Sequence, residues 1–382
     1  MMLRASLFSR QAWAAIAACA LIAALLPLLN LAFPAGHALH ISSYTIGLIG
    51  KFMCFALAAL ALDLVWGYAG ILSLGHGVFF ALGAYAHGMY LMRAIGREGV
   101  YQSNLPDFMV FLDWKTYPWY WSMTDHFVYC MLLVLLVPGV LAFVFGYFAF
   151  RSRIKGVYFS IITQAMTYAF MLLFFRNATG FGGNNGFTDF KRILGFSITA
   201  PGTKAALYLI TLAVLTGSLV LCRMIVRSKL GRVLQAVRDS EARLMFIGYD
   251  PLWFKLFVWT LSAVLCAIAG ALYVPQVGII NPSEMSPANS IEMVIWVAVG
   301  GRGTLIGPIL GAFTVNGLKS WFTAAFPDLW LFALGLLFIL VTLFMQKGML
   351  GLARQLDPRG KGKLIDAADA AEPVADKVKE VA

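Results

Sequence analysis

The sequence predicts an all-α integral membrane protein: a polytopic bundle of about nine or ten transmembrane helices, with one further amphipathic helix along its cytoplasmic face. Three observations predict it. Hydrophobic residues make up 60% of the 382-residue chain and mean hydropathy is +0.80, more apolar surface than a water-soluble core uses. Nine stretches approach the roughly 20 apolar residues that a helix rising about 1.5 Å per residue needs to cross a bilayer. Lys and Arg gather in alternate connections between those stretches.

The first stretch, 13–33, follows Arg4 and Arg10. It is longer than the roughly 7–15-residue apolar region of a secretory signal. LNLAFPAGHA is also a poor cleavage site, so a retained first helix is expected. The next spans are 46–66, 71–92, 127–150, 157–175, 205–226, 255–275, 304–322 and 328–346. Residues 289–303 are apolar but short, and read as a tenth span or one half of a re-entrant pair.

With a cytoplasmic N-terminus and ten spans, the inner segments are 1–12, 151–156, 223–255, 300–304 and 347–382. They hold 20 Lys and Arg, against 7 in the outer loops 93–126 and 176–204; Lys51 and Lys319 sit at span ends. This asymmetry places both termini in the cytoplasm. Three regions follow: an N-terminal segment with the first span (1–43), a membrane core (44–350), and a polar, Ala-rich tail (351–382) expected to be disordered.

Composition and motifs exclude several classes. The net charge of +11 points to no nucleic-acid partner, because the positive residues lie in short segments between apolar runs. Cys19, Cys54, Cys130, Cys222 and Cys266 fall within apolar runs and form no CxxC pair, so they read as small buried hydrophobes, with no metal site or disulfide framework. Lys51 follows Gly50, but Phe52 stands where a phosphate loop needs Ser or Thr, and the upstream glycine spacing does not fit. GGRGTLIG (300–307) lacks the dinucleotide spacing and has no preceding strand. The chain shows no cofactor motif and no means of hydrolysing nucleotide. An intramembrane enzyme would need a nucleophile with a base, or a metal cluster. His76 and His87, eleven residues apart, could share a helix face, but no carboxylate pairs with either at i+3 or i+4.

Between Arg223 and Lys255 the apolar pattern is interrupted by seven Lys or Arg and three Asp or Glu. Within 232–248, Val233, Val237, Leu244 and Met245 fall on one helical stripe, and Arg238, Asp239, Glu241 and Arg243 take the other positions. This is an amphipathic helix lying along the membrane face, stopped by Gly248 and Pro251. A solvated connection with a snorkelling helix is the plain reading; a docking helix for a cytoplasmic partner is the sharper one.

That segment resembles the coupling helix of permease subunits of ATP-binding-cassette importers. Three further motifs narrow the resemblance to the branched-chain amino acid permease family, in its M-type subunit: LDLVWGYAGILSLGHGVFFALGAYAHGMYLM (62–92), GFGGNNGFTDF (180–190) and GGRGTLIGPILGAF (300–313). With the Trp-rich DWKTYPWYW (113–121), they look most like the urea-transporter C-type branch. Asp63, where many amino acid members carry Asn, fits that branch. The resemblance implies a bacterial inner-membrane importer of urea, with branched-chain amino acids or short amides as the alternative cargo. It also implies four kinds of surroundings: a sister permease subunit, two cytoplasmic ATPases, an external solute-binding protein and membrane lipid. ATP hydrolysis would belong to the ATPases, so the chain itself is expected to be no enzyme. The coupling segment, about 227–254, would carry ATPase contacts at Arg232, Arg238, Asp239, Glu241 and Arg243, with Gly248 ending the helix. A stand-alone channel would not need such a helix.

Inside the membrane, polar groups face a partner or a cavity. Asp63, Ser73 and His76 are therefore candidate pathway residues, with a structural hydrogen bond to backbone the favoured role for Asp63. Glu292 is a second ionisable group near a span. Asn184 and Asn185 could exchange hydrogen bonds with an amide, or simply form a turn that closes the outer vestibule. Gly303, Gly307 and Gly311 recur every four residues and are expected to pack as one flat helix face.

Overall fold

A computed structural model of the protein describes residues 10–34, 36–37, 39–326, the positions 329, 332, 335, 336, 339 and 340, and 348–355. Most of the expected span 328–346 and most of the expected tail lie outside the described residues.

The apolar runs fold as helices whose ends follow their capping residues. α1 (Arg10–Ala32) covers the first stretch. α2 (Ser43–Asp63) starts at Ser42, whose hydroxyl accepts the Thr45 N–H. It runs on into a π-helical turn, Leu64–Tyr68. α3 (His76–Ile95), the short loop helix α4 (Asp107–Phe111), α5 (Phe127–Arg151), α6 (Val157–Phe175) and α7 (Pro201–Arg227) follow. α8 (Lys229–Phe246) is capped by Ser228, and α9 (Pro251–Val277) by Asp250 with Pro251 in its first turn. α10 (Pro287–Gly300) is capped by Ser286; then come α11 (Ile306–Ala325) and α12 (Gly348–Gln355).

Six of these helices are long and apolar enough to cross a membrane: Ser43–Tyr68, His76–Glu98, Phe127–Arg151, Val157–Phe175, Pro201–Arg227 and Pro251–Val277. The fold is the expected all-α polytopic one. Its two β-pairings, Phe187–Thr188 with Ile279–Ile280 and the hairpin Arg192–Ile193 with Phe196–Ser197, sit in connections.

α2, α3 and α9 form the centre. α3 crosses α9 so closely that a Cβ on Gly83 would collide with the Ala267 carbonyl, and one on Gly270 with the Phe80 carbonyl. Both glycines are required by that approach. α5 packs on the outside of α9 and turns Val128, Leu132, Leu136, Val140, Phe143 and Phe148 outward, an apolar face suited to lipid. α7 packs on α2, α1 on α7, and α11 beside α10 and α2.

One expectation about elements is corrected, and one pair of alternatives is decided. The third span does not begin at residue 71: His76 opens α3, and 70–75 run as irregular backbone through the bundle. Such backbone persists at membrane depth only where protein satisfies it. Here α6 does so: Ser160 Oγ donates to Leu72 O (2.8 Å), Thr163 Oγ1 accepts from Leu74 N (3.1 Å), and Thr167 Oγ1 donates to Leu74 O (3.3 Å). The 289–303 stretch is α10, a 14-residue helix. At about 1.5 Å per residue it is too short for a hydrocarbon core of about 30 Å, so it is the half-helix of the two readings. Cys19 is exposed, against the expectation of burial, while the other four cysteines are buried.

Candidate functional site

Two polar constellations stand at opposite ends of α2. The first gathers where α2 ends and α8 begins to run beneath the bundle. Asp63 is fully buried, and its carboxylate bridges two backbone groups of the linker between α10 and α11: Oδ1 accepts Gly303 N–H at 2.6 Å and Oδ2 accepts Leu305 N–H at 3.0 Å. A carboxylate can accept from both at once, which holds the broken helix to the end of α2. Leu305 itself sits at φ +58°, a strained conformation for a bulky residue, and Asp63 helps hold it there. A Cβ on Gly67 would stand 2.5 Å from Asp63 Oδ1 and 2.6 Å from Gly303 N, so only glycine fits the contact. Arg302, next to Gly303, lays its guanidinium over the Trp66 ring at 5.3 Å.

α8 joins this node. The π turn leaves the Gly67 carbonyl available, and Arg238 Nη1 donates to it at 2.9 Å while its Nε reaches Asp239 at 3.0 Å. One residue pair further on, Ser240 leaves helical geometry (φ −163°, ψ 91°) and kinks α8. Beyond the kink Glu241 accepts from Lys155 Nζ (2.8 Å) and from Lys255 Nζ (2.7 Å). Burial raises the Glu241 pKa, but the hydrogen bonds and charges of the two lysines outweigh burial and hold the carboxyl below its ordinary value. Each half of α8 is thus bonded to a different part of the bundle.

The amphipathic stripe is present with a shift. Leu234, Val237 and Leu244 are buried, Val233 is half-buried, and Met245 is exposed; the kink rotates the last turn. Of the expected ATPase-facing residues, Arg232, Arg238, Asp239 and Arg243 are exposed, Arg238, Asp239 and Glu241 also bond within the chain, and Gly248 ends the helix at φ +87°. Phe246, Ile247 and Tyr249 at the tip are exposed, and charge patterning had not singled them out.

Ser73 and His76 are also fully buried, and their side chains are bonded to other elements of the bundle. His76 Nδ1 meets Ser73 Oγ at 3.1 Å and Nε2 meets Ser262 Oγ at 2.8 Å, while Ser262 Oγ donates to Ala61 O. Since the Ser262 hydroxyl hydrogen is committed to that carbonyl, the network assigns the imidazole proton to Nε2 and leaves Nδ1 accepting from Ser73. The histidine ties α3 to α9 and α2. His87 Nδ1 donates to Ala271 O at 2.7 Å. Among the described residues no group of three or more His, Cys, Asp or Glu is placed to hold a metal.

Gly307 and Gly311 lie on α11 where it touches the α10 backbone: a Cβ on Gly307 would be 2.6 Å from Gly300 O, and one on Gly311 2.7 Å from Gly300 N. Gly303 precedes α11, which begins at Ile306, so it belongs to the linker and not to the three-glycine face expected. Asn184 and Asn185 are exposed in the turn 183–185, on the rim of a loop crater that also holds Asp107, Phe108 and Phe111.

The second constellation lies at the opposite end of α2, away from α8. A cavity of about 450 Å³ opens between α2, α9, α10 and α11. Its polar wall is Lys51, Tyr273, Glu284, Asn289, Glu292 and Lys319. Lys319 Nζ donates to both Glu292 oxygens (2.7 and 2.9 Å). Glu284 accepts from Tyr273 Oη at 3.1 Å and from Asn289 Nδ2 at 3.3 Å. Phe52, Phe55, Met293 and Trp296 supply the apolar wall. Sequence reasoning singled out only Glu292 here and took Lys51 and Lys319 for span-end charges. The α10–α11 pair Glu292–Lys319 is 27 residues apart, beyond any helical spacing that would have shown it.

Residues 44–342 match the family described as branched-chain amino acid transport system / permease component. The chain is 25% identical over 336 residues to the high-affinity branched-chain amino acid transport system permease protein LivM of Escherichia coli, covering 82% of this chain and 72% of that one. It is 25% identical over 324 residues to LivM of Salmonella typhimurium, covering 79% and 69%. The autoinducer 2 import system permease protein LsrC of Yersinia pseudotuberculosis is 28% identical over 201 residues, covering 50% and 53%. No solved structure matches.

Proposed function

The chain belongs to the branched-chain amino acid transport permease family, and from that premise we propose that it forms half of the transmembrane pathway of an ATP-driven importer whose cargo is urea. It is a multi-pass protein of the bacterial inner membrane in this reading, with α8 on the cytoplasmic side. A sister permease completes the pathway, two ATPase subunits drive it, and a solute-binding protein delivers the cargo.

The observation that carries the transport reading is the path of bonds from α8 to the broken helix. Arg238 holds the Gly67 carbonyl, and Asp63, one turn away, holds the linker between α10 and α11, whose other ends line the cavity. A force applied to α8 would therefore reach the cavity wall through packed, bonded groups. ATP binding would move α8 and tilt these helices between outward and inward access.

The cargo rests on the motifs at 62–92, 113–121 and 180–190. Asp63 adds nothing to that choice, because its carboxylate is occupied by backbone and lies away from the cavity. A specific observation supports a second reading, branched-chain amino acids: the cavity sets an ammonium and carboxylates in one space, which suits a zwitterion, and the LivM relatives bear that cargo in their names. Uptake of radiolabelled urea at micromolar concentration, in cells with and without the gene, decides between them. If uptake falls on deletion and only urea-like amides compete, the cargo is urea. If urea uptake is unchanged and leucine uptake falls, the amino acid reading replaces it.

A further inference from the structure

We propose that the cavity between α2, α9, α10 and α11 is a subsite for the solute in transit, in which Lys51 receives a carbonyl oxygen and Glu284 receives N–H groups. This rests on the importer reading above.

Three features of the cavity point to a ligand. Lys51 Nζ is half-buried and has no hydrogen-bond or ion-pair partner within 4 Å among the described residues; the faces of Phe55 (5.6 Å) and Tyr273 (5.9 Å) stand beside it, and the Glu284 and Glu292 carboxylates act on its charge at longer range. Trp296, 2% exposed, supplies ring surface to the cavity wall, while its Nε1–H is itself buried. Glu284 accepts only two neutral donors, so its oxygens keep capacity for more, whereas Glu292 is engaged by both of its oxygens with Lys319.

Taken together the cavity offers an unfilled donor in Lys51, an acceptor with spare capacity in Glu284, and aromatic rings in its wall. The chemistry that fits is a small solute with a carbonyl oxygen and two or more N–H donors. Its volume falls within the range of about 300–1,000 Å³ usual for small-molecule sites. Urea supplies those groups as a neutral amide. An amino acid supplies them as a carboxylate and an ammonium. The neutral amide is the solute we assign on the cargo reading above: the Lys319–Glu292 pair closes on itself, and Lys51 with Glu284 leaves the cavity no net charge with which to hold an ion.

The test uses the complete importer, reconstituted in liposomes with its sister permease, ATPases and binding protein. Lys51→Met and Glu284→Gln are each expected to lower uptake of radiolabelled urea about tenfold or more, the effect of losing one charged hydrogen-bond partner. ATP hydrolysis without cargo and assembly of the complex are expected to stay within about twofold, and Lys51→Arg to restore part of the uptake. A second measurement needs no uptake. In a Cys19→Ser background, whose remaining native cysteines are buried, Lys51→Cys is reacted with a small methanethiosulfonate reagent. Urea is expected to slow that reaction several-fold, and leucine is not. Uptake unchanged by both variants, or labelling unaffected by urea, overturns the subsite. Protection by leucine alone overturns the amide assignment. A wild-type complex that accumulates neither urea nor leucine overturns the importer reading itself, and the subsite with it.

Discussion

The two ends of α2 carry charge in opposite ways. At the α8 end Asp63 holds two backbone N–H groups, Arg238 holds the Gly67 carbonyl, and Glu241 lies between Lys155 and Lys255. At the far end Lys51 makes no hydrogen bond or ion pair within 4 Å among the described residues, and the carboxylates that share its cavity act on it only at longer range. The difference separates two uses of an intramembrane or interfacial charge, each expensive to bury. A charge whose every bond is filled by its own chain fixes geometry and can pass on a displacement. A charge left open inside a cavity is available to something that comes and goes. The distinction is testable residue by residue.

The largest effect is expected at Asp63. Asp63→Ala leaves the Gly303 and Leu305 N–H groups buried without acceptors, each at about 1–3 kcal/mol. Thermal unfolding of the purified complex should fall sharply, and much of the protein should be lost during purification. Asp63→Asn keeps one acceptor oxygen and should lose less. An Asp63→Ala protein that unfolds at the wild-type temperature would remove the α8 end from the comparison.

Next comes Arg238. Arg238→Ala removes the bond between α8 and the π turn, whose strength as a charge-assisted hydrogen bond is about 1.5–3 kcal/mol, less where solvent reaches it. The expected result is uncoupling: uptake falls about tenfold while ATP hydrolysis by the complex persists, because the partner contacts of α8 remain. If both fall together and the complex dissociates, Arg238 serves assembly and not transmission.

Glu241 should matter less and in a particular pH window. Its folded pKa lies below the ordinary 4.5, so its contribution to stability is present above that value and lost as pH falls through the lowered pKa. Glu241→Gln should therefore lower stability by about 1–2 kcal/mol at neutral pH, where the wild-type carboxylate is ionised. It should change little between mildly acid and neutral pH, and the two proteins should converge in strong acid. Unfolding midpoints measured across that range check the sign. A gap that widens toward acid would mean that the lysines are not its partners.

How much of this was legible beforehand follows from the range of each interaction. Six of the expected spans were, because a run of about 20 apolar residues is a local signal. So was α8, because its charges break the apolar pattern locally. Residues 70–75 were not: an apolar, glycine-dotted stretch reads as helix, and only the hydroxyls of Ser160, Thr163 and Thr167, some ninety residues away, make irregular backbone tolerable. Ser73 and His76 were read as candidate pathway residues; in the fold they bond to each other and His76 to Ser262, 186 residues away, which no local pattern shows. Lys51 was dismissed as a span-end charge because its surroundings come from three other helices. Sequence names the polar groups; only the fold shows which are already answered.

The smallest effect is expected at Asn184 and Asn185, and it sharpens the comparison. Both were candidates for contact with an amide, and both are exposed in a turn rather than aimed into the cavity. The turn is held without their side chains: Gly186 N–H returns to Gly182 O at 3.1 Å, and Phe187 pairs with Ile280. Replacing both by Ser keeps residues that tolerate turns and removes the amide groups. Stability should shift by no more than about 0.5 kcal/mol, as for exposed positions generally. The informative quantity is the cargo concentration giving half-maximal uptake in liposomes without the binding protein. If it stays within about twofold of wild type while Lys51→Met shifts it strongly, recognition resides in the cavity. If instead the asparagine pair shifts it and Lys51→Met does not, the open charge at the far end of α2 is no more a site than the closed ones beside α8, and the solute is read at the loop surface.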